Sequence, residues 1–208
     1  MLGPPGAGKG TQAEQFAASR GIPRISTGDI LRDAVEAGTP MGLAAKQVMD
    51  TGRLVADDVI IGVARERLAR PDTERGFVLD GFPRTVAQAD ALDEMLDHGA
   101  PLVIVEIVVP EDTLVRRLST RRICSNCGTT ATPGLATCAK CGGTLIARRD
   151  DNEAVVRERL QVHNRQTGPL VEHYRVRPTF RQVMGDQPAP DVAKDIAAAV
   201  ASVLGVRA

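Results

Sequence analysis

The sequence predicts an α/β fold: a P-loop parallel sheet core covered by helices on both faces. Three observations carry this. Apolar runs alternate with helical patterns along the chain, as in strand–crossover–strand units. The run 102–109 is almost continuously apolar, as a strand covered on both faces should be. The stretch Gly3-Pro4-Pro5-Gly6-Ala7-Gly8-Lys9-Gly10-Thr11 is a glycine-rich turn of the kind that joins a buried strand to a helix and cradles phosphate.

In this loop several backbone N–H groups converge on one spot, where the helix dipole also favours anions. Lys9 adds a mobile positive charge for the outer phosphates of a nucleotide. The general pattern places a hydroxyl residue directly after the lysine, to hold Mg²⁺. Here Gly10 stands there, and Thr11 follows one later. Residues 12–19 read as a helix that Gly21 can stop. Strands are expected at 24–26, 77–79, 102–109 and 180–184. Helices are expected at 28–37, 42–50, 58–69, 86–97, 112–121, 152–176 and 192–203. Asp57 and Thr85 look like N-caps, and Gly99 and Gly205 fall where helices should stop. Two stretches break the alternation: 26–55 holds two helices where one crossover would do, and 122–151 has no helical periodicity. Placed over a phosphate site, such excursions make natural lids.

The chain has 208 residues, 43% hydrophobic and 25% charged, which suits one globular unit with small insertions. Only 2% is aromatic, so Ala, Val, Leu and Ile must build the core. The net charge of zero argues against a mainly electrostatic partner such as DNA or an anionic membrane. With no apolar run of membrane-span length and no signal peptide, the expectation is a soluble cytoplasmic protein.

The four cysteines, Cys124, Cys127, Cys138 and Cys141, form two CxxC pairs separated by ten residues. Four thiolates at that spacing can close tetrahedrally on Zn²⁺ from two tight knuckles, with Gly128 and Gly142-Gly143 supplying the turns. Disulfides and an iron–sulfur cluster are the alternatives. A Cys₄ site with no open position is structural rather than catalytic. His98, His163 and His173 lack ligand spacing to the cysteines and read as surface or packing residues. The arginines around the ribbon, with no aromatic residues for stacking, argue poorly for nucleic-acid binding.

Phosphoryl transfer asks for alignment, charge neutralisation and exclusion of water. A phosphate acceptor is already ionised, with a second pKa of ~6, so no general base is needed. Arginines are what such a site should offer. Asp80, at a strand's C-terminal end, is placed to hold Mg²⁺ through water, and Arg84 can reach a phosphate from the same turn. Arg32, Arg121, Arg148 and Arg159 are further candidates.

The loop 3–11, Ile25-Ser26-Thr27-Gly28-Asp29, Leu79-Asp80-Gly81-Phe82-Pro83-Arg84 with Gln88, and Arg148-Arg149-Asp150-Asp151 with Arg159 together resemble the adenylate kinases, in order and over nearly the whole chain. The resemblance implies a five-stranded parallel core (1–25, 56–121 and 152–208), a helical AMP-binding domain (26–55) and a zinc-binding lid (122–151). It implies Mg²⁺-dependent transfer of the terminal phosphoryl group of ATP to AMP, giving two ADP, by a monomer. Gly6, Ala7, Gly8, Lys9, Gly10 and Thr11 would hold the ATP phosphates. Thr27, Arg32, Arg53, Leu54, Val55 and the turn Gly81-Phe82-Pro83-Arg84 would contact AMP, and Gln88 would read its adenine edge. Arg121, with Thr130 and Ala131 of the lid, would contact ATP; Arg148 and Arg159 would clamp phosphates across the gap. Gln187 lies where the backbone would meet the ATP adenine. Pyrimidine-specific relatives tend to carry Ala and Asn in place of Thr27 and Gln88, which favours AMP over UMP or CMP here. Another nucleoside monophosphate kinase, or an inactive N-terminally truncated form, are the alternatives.

This chain departs from the family in its short lid, in having Thr129-Thr130-Ala131-Thr132 where an aromatic residue is expected, and in its first strand, cut to Met1 and Leu2. Losing about four buried apolar residues costs roughly 6–12 kcal/mol. The expectation is therefore a natural start a few residues upstream.

Overall fold

The computed structural model describes residues 1–96, 101–131 and 134–205. The expected helix end at Asp97, with His98, Gly99 and Thr132, lies outside them. Parallel strands form the core. β1 (Arg24–Ser26) pairs in parallel with β2 (Val78–Asp80), Ile25 opposite Leu79. β3 (Ile104–Val108) pairs in parallel with β6 (Phe180–Met184), Ile107 opposite Val183. Met1 and Leu2 join the two pairs. The Met1 amine donates to Leu79 O at 2.9 Å. Leu2 N donates to Val105 O at 2.8 Å, and Ile107 N to Leu2 O at 2.9 Å. Only 4% exposed, Leu2 fills the central position of a parallel set with five positions.

Helices cover both faces. α1 (Lys9–Arg20), α6 (Glu111–Thr120) and α9 (Ala189–Leu204) lie over a cluster built from Val105, Ile107, Leu118, Val183 and Ile196. α4 (Asp57–Leu68) and α5 (Val86–Met95) cover Ile25, Leu79, Phe82 and Leu92. The core is mostly aliphatic, as the composition requires, with Phe82 and Tyr174 as its largest fully buried side chains.

The two excursions leave the ends of strands. α2 (Thr27–Glu36) and α3 (Pro40–Asp50) follow β1. They approach so closely that a Cβ on Gly42 would lie 2.1 Å from Ala34 O. The second is a ribbon whose antiparallel strands, β4 (Arg122–Cys124) and β5 (Leu145–Ala147), pair Ile123 with Ile146.

Three expectations are corrected. The helix expected over 152–176 is two: α7 (Glu153–Val162) and α8 (Gly168–Arg175), joined by a π-helical turn, His163–Thr167. Pro169 has no N–H for the carbonyl of Arg165 and its ring crowds that carbonyl, so the regular ladder cannot run through. Asp57 is not the N-cap of α4; Ala56 is, and Asp57 is the first helical residue, with its carboxylate turned elsewhere. The third lies at the start of α9, which begins at Ala189, ahead of the expected 192, with Pro188 at the N-cap position and Pro190 in the first turn, where a missing N–H breaks no helical bond. Thr85 does cap α5, accepting from Gln88 N at 3.2 Å, and Gly21 and Gly205 end α1 and α9 in the left-handed region.

Candidate active site

The phosphate loop ends on Gly8, whose φ of 95° only glycine adopts without strain and which turns the chain into α1. Space is tight at the sequence departure, Gly10. A Cβ there would sit 3.2 Å from Asp80 Oδ2 and 3.4 Å from an Arg24 nitrogen. A hydroxyl residue directly after the lysine would crowd that ion pair. Lys9 Nζ donates to Gly3 O at 2.6 Å and Pro4 O at 2.9 Å. Burial pulls the Lys9 ammonium down to about 7; nearby Asp80 opposes this only in part.

A cavity opens beside Lys9. Thr27 and Arg32 reach it from α2, and Arg53, Leu54 and Val55 from beyond α3. Gly81, Pro83 and Arg84 enter from the turn after β2, Gln88 from α5, and Arg148 and Arg159 from the ribbon's end and α7. Thr27 is 3% exposed, with its hydroxyl 3.3 Å from Gly81 O. Phe82 turns its side chain the other way, into the core.

Five arginines line this cavity: Arg32, Arg53, Arg84, Arg148 and Arg159. Burial and the charge of Arg159 pull Arg84 down to about 10; burial and the charge of Arg32 pull Arg148 down to about 9. Both remain protonated at neutral pH. Asp151 holds Arg159 of this set together with Arg121. Its carboxylate accepts from Arg121 Nε at 2.6 Å and Nη2 at 2.5 Å, and from Arg159 Nη1 at 3.0 Å. Asp150 pairs with Arg148 at 2.8 Å and Arg159 at 3.1 Å. Burial pushes the Asp150 carboxyl up, but Arg148, Arg159 and Arg121 outweigh it and hold it below the usual carboxylate range.

On the other side, Asp80 is engaged by Arg24 at 2.5 Å. Arg24 also pairs with Asp29 at 2.9 Å, and Asp29 with Arg32. Among the described residues, every recorded bond to Asp80 goes to Oδ2, which leaves Oδ1 available to a hydrated cation.

The four cysteine sulfurs lie within 4.8 Å of one another. Cys124–Cys141 and Cys127–Cys141 are 3.4 Å apart and Cys127–Cys138 is 3.6 Å. A disulfide would need about 2.05 Å. A tetrahedral ion with metal–sulfur bonds of about 2.3 Å needs sulfurs about 3.8 Å apart. The residues therefore fit a Zn²⁺ ion. The second knuckle touches the core where Lys140 meets Glu14 of α1 at 2.9 Å.

A family model described as adenylate kinase matches residues 1–179. The chain belongs to the adenylate kinase family. It is 50% identical to "Adenylate kinase" of Archaeoglobus fulgidus, over 95% of each chain, and 50% identical to that of Bacillus subtilis, over 94% of each. "Adenylate kinase" of Desulfitobacterium hafniense is 49% identical, over 94% of each chain.

Of the residues that the adenylate kinase resemblance singled out, the cavity gathers Lys9 and nearly the whole AMP set. Gly6, Ala7, Gly8, Gly10 and Thr11 lie on the loop and the first turn of α1, and Arg121 at the base of the ribbon. Thr130 and Ala131 run beside β4, Ala131 N donating to Arg122 O at 2.9 Å. Gln187 ties its amide to Met184 O and to Asp195 at 2.9 and 2.6 Å. Sequence reasoning missed the partners: Arg24 on Asp80, Asp150 and Asp151 among the arginines, and Asp57. It also missed His163, which lines the cavity and which burial pulls down to about 4. The adjacent blocks of opposite charge in Arg148-Arg149-Asp150-Asp151 were a signal of this pairing in the sequence.

Proposed function

We propose that this chain catalyses reversible transfer of the terminal phosphoryl group of ATP to AMP, giving two ADP, directly between the nucleotides. The observation that carries this is the meeting of Lys9, Arg84, Arg148 and Arg159 in one cavity with Thr27, Arg53 and Gln88, in a chain of this family. The AMP phosphate lies against Arg32, Arg84 and Arg159, with its base toward Gln88. The loop 6–11 holds the ATP phosphates. Arg121 and Arg148 neutralise charge on the moving group, and Asp150 and Asp151 fix their guanidiniums in place beforehand, which spares reorganisation during the reaction. Asp80 would hold, through water, the Mg²⁺ that accompanies ATP, which would supply neutralisation of phosphate charge.

In this reading 26–55 is the AMP-binding domain, 122–151 the lid and the rest the core. The lid closes over ATP and keeps water from the transferred group, with Thr130, Ala131 and the Gln187 backbone against the nucleotide; adenylate kinase lids are a known instance of such closure. Zn²⁺ on Cys124, Cys127, Cys138 and Cys141 replaces the core that a thirty-residue ribbon is too small to build, and does no chemistry. The neutral net charge argues against nucleic acid or an anionic membrane surface as the partner, and the family resemblance is the ground for a monomer acting on free cytoplasmic nucleotides. Among the described residues no helix is long and apolar enough to cross a membrane.

The test is a coupled assay for ADP formed from ATP and AMP. ADP formation that requires both nucleotides and Mg²⁺ is the expected result. ATP bound without turnover would overturn the reading.

A further inference from the structure

Gln88 lines the cavity beside Lys9, while Asp57 lines a second, neighbouring pocket with Thr85 and Gln166. Gln88 is 1% exposed and bound on both ends of its amide. Its Oε1 accepts from Arg84 N at 2.8 Å, and its Nε2 donates to Asp57 Oδ1 at 2.7 Å. The other oxygen of Asp57 accepts from the Thr85 hydroxyl at 2.9 Å. A backbone N–H can only donate and a carboxylate can only accept, so these two partners permit one orientation of the Gln88 amide. The reversed amide would set NH₂ against the Arg84 N–H and the carbonyl against the Asp57 carboxylate.

This matters because a primary amide has two N–H groups and two lone pairs. With one of each taken, one donor and one acceptor remain for the cavity, in fixed order. Adenine presents an N–H at position 6 beside an acceptor at position 1. Hypoxanthine and guanine present the reverse: an acceptor at 6 and an N–H at 1. A glutamine free to turn end for end would satisfy either edge.

We infer that Asp57 is a specificity-determining positioning residue: it locks the Gln88 amide in the orientation that accepts a 6-aminopurine acceptor and rejects a 6-oxopurine one. This rests on the reading that Gln88 faces the acceptor base. Asp57 does not line the cavity beside Lys9 and acts on it through Gln88.

The experiment compares kcat/KM for AMP and for inosine 5′-monophosphate, with ATP as donor, in the wild type, Asp57→Asn, Asp57→Ser and Gln88→Ala. Thermal melting identifies which variants are folded. In either Asp57 variant one of the two repulsive faces against the turned amide disappears. The ratio of IMP to AMP use should rise about tenfold, with KM for ATP unchanged. Equal losses for both acceptors in both Asp57 variants would overturn the lock, since a merely structural residue would not move the ratio. An unchanged ratio in Gln88→Ala would instead remove the base-reading role of Gln88 itself, and with it the proposal.

Discussion

Asp151 provides the sharpest test of how the arginine cluster is held. Its side chain is 4% exposed, between Arg121 at 16% and Arg159 at 17%. In Asp151→Asn the shape is kept, but the charge is lost and an NH₂ faces guanidinium donors. Stripping one partner from a buried ion pair costs about 3–5 kcal/mol. Two features place this case at the low end. Arg159 keeps Asp150 at 3.1 Å, and both arginines retain some water. At about 3 kcal/mol, and about 2–4 °C per kcal/mol for a chain of this size, the melting temperature should fall by about 6–12 °C. Turnover should suffer separately. A guanidinium displaced by about 1 Å loses on the order of 100-fold in rate. Removing the carboxylate also leaves more positive charge for phosphates, so nucleotide should restore more stability to the variant than to the wild type. The assays are thermal melting with and without ATP, and kcat at saturating ATP and AMP. A melting point within about 1 °C of wild type, together with unchanged kcat, would refute the idea that Asp151 organises these arginines.

Lys9, pulled down to about 7 in the folded protein from the 10.5 of a free lysine, binds fewer protons folded than unfolded, so its contribution to stability improves as pH rises from about 7 to 10.5. Polyphosphate reverses the depression, so at pH 8 ATP binding should take up close to ~1 proton, read by calorimetry in buffers of different ionisation enthalpy, and Lys9→Met should abolish the uptake. Asp150, held below the usual range, contributes stability that is full above about pH 4 and lost as acid titrates it; Asp150→Asn should flatten that acid limb in pH-dependent melting. Elemental analysis should find about one zinc per chain, and a chelator should loosen the ribbon while the parallel core stays folded; an intact ribbon in metal-free protein would overturn the role of the metal. UMP should be used at least ~100-fold less well than AMP, since mispaired buried polar groups reject the wrong base strongly; comparable kcat/KM values would contradict the roles of Thr27 and Gln88.

Much of this molecule is decided within a few residues of sequence. Gly8 turns the loop into α1 because its left-handed φ is a local property. The strands β1 and β6 occupy the residues that the apolar pattern marks, Arg24–Ser26 and Phe180–Met184. Each CxxC pair makes its own knuckle, so spacing alone brings out a four-sulfur cluster. Tertiary structure decided the rest. Asp57 has the composition of a cap, yet it serves Gln88, 31 residues away. Arg24 meets Asp80 across 56 residues, and Arg121 meets Asp151 across 30. A charged side chain has many acceptable partners at similar local cost, and only the packing of distant elements selects one. The phosphate loop and the four-cysteine ribbon are thus written in the sequence, while the carboxylates that pair with the arginines and the glutamine are set by the fold.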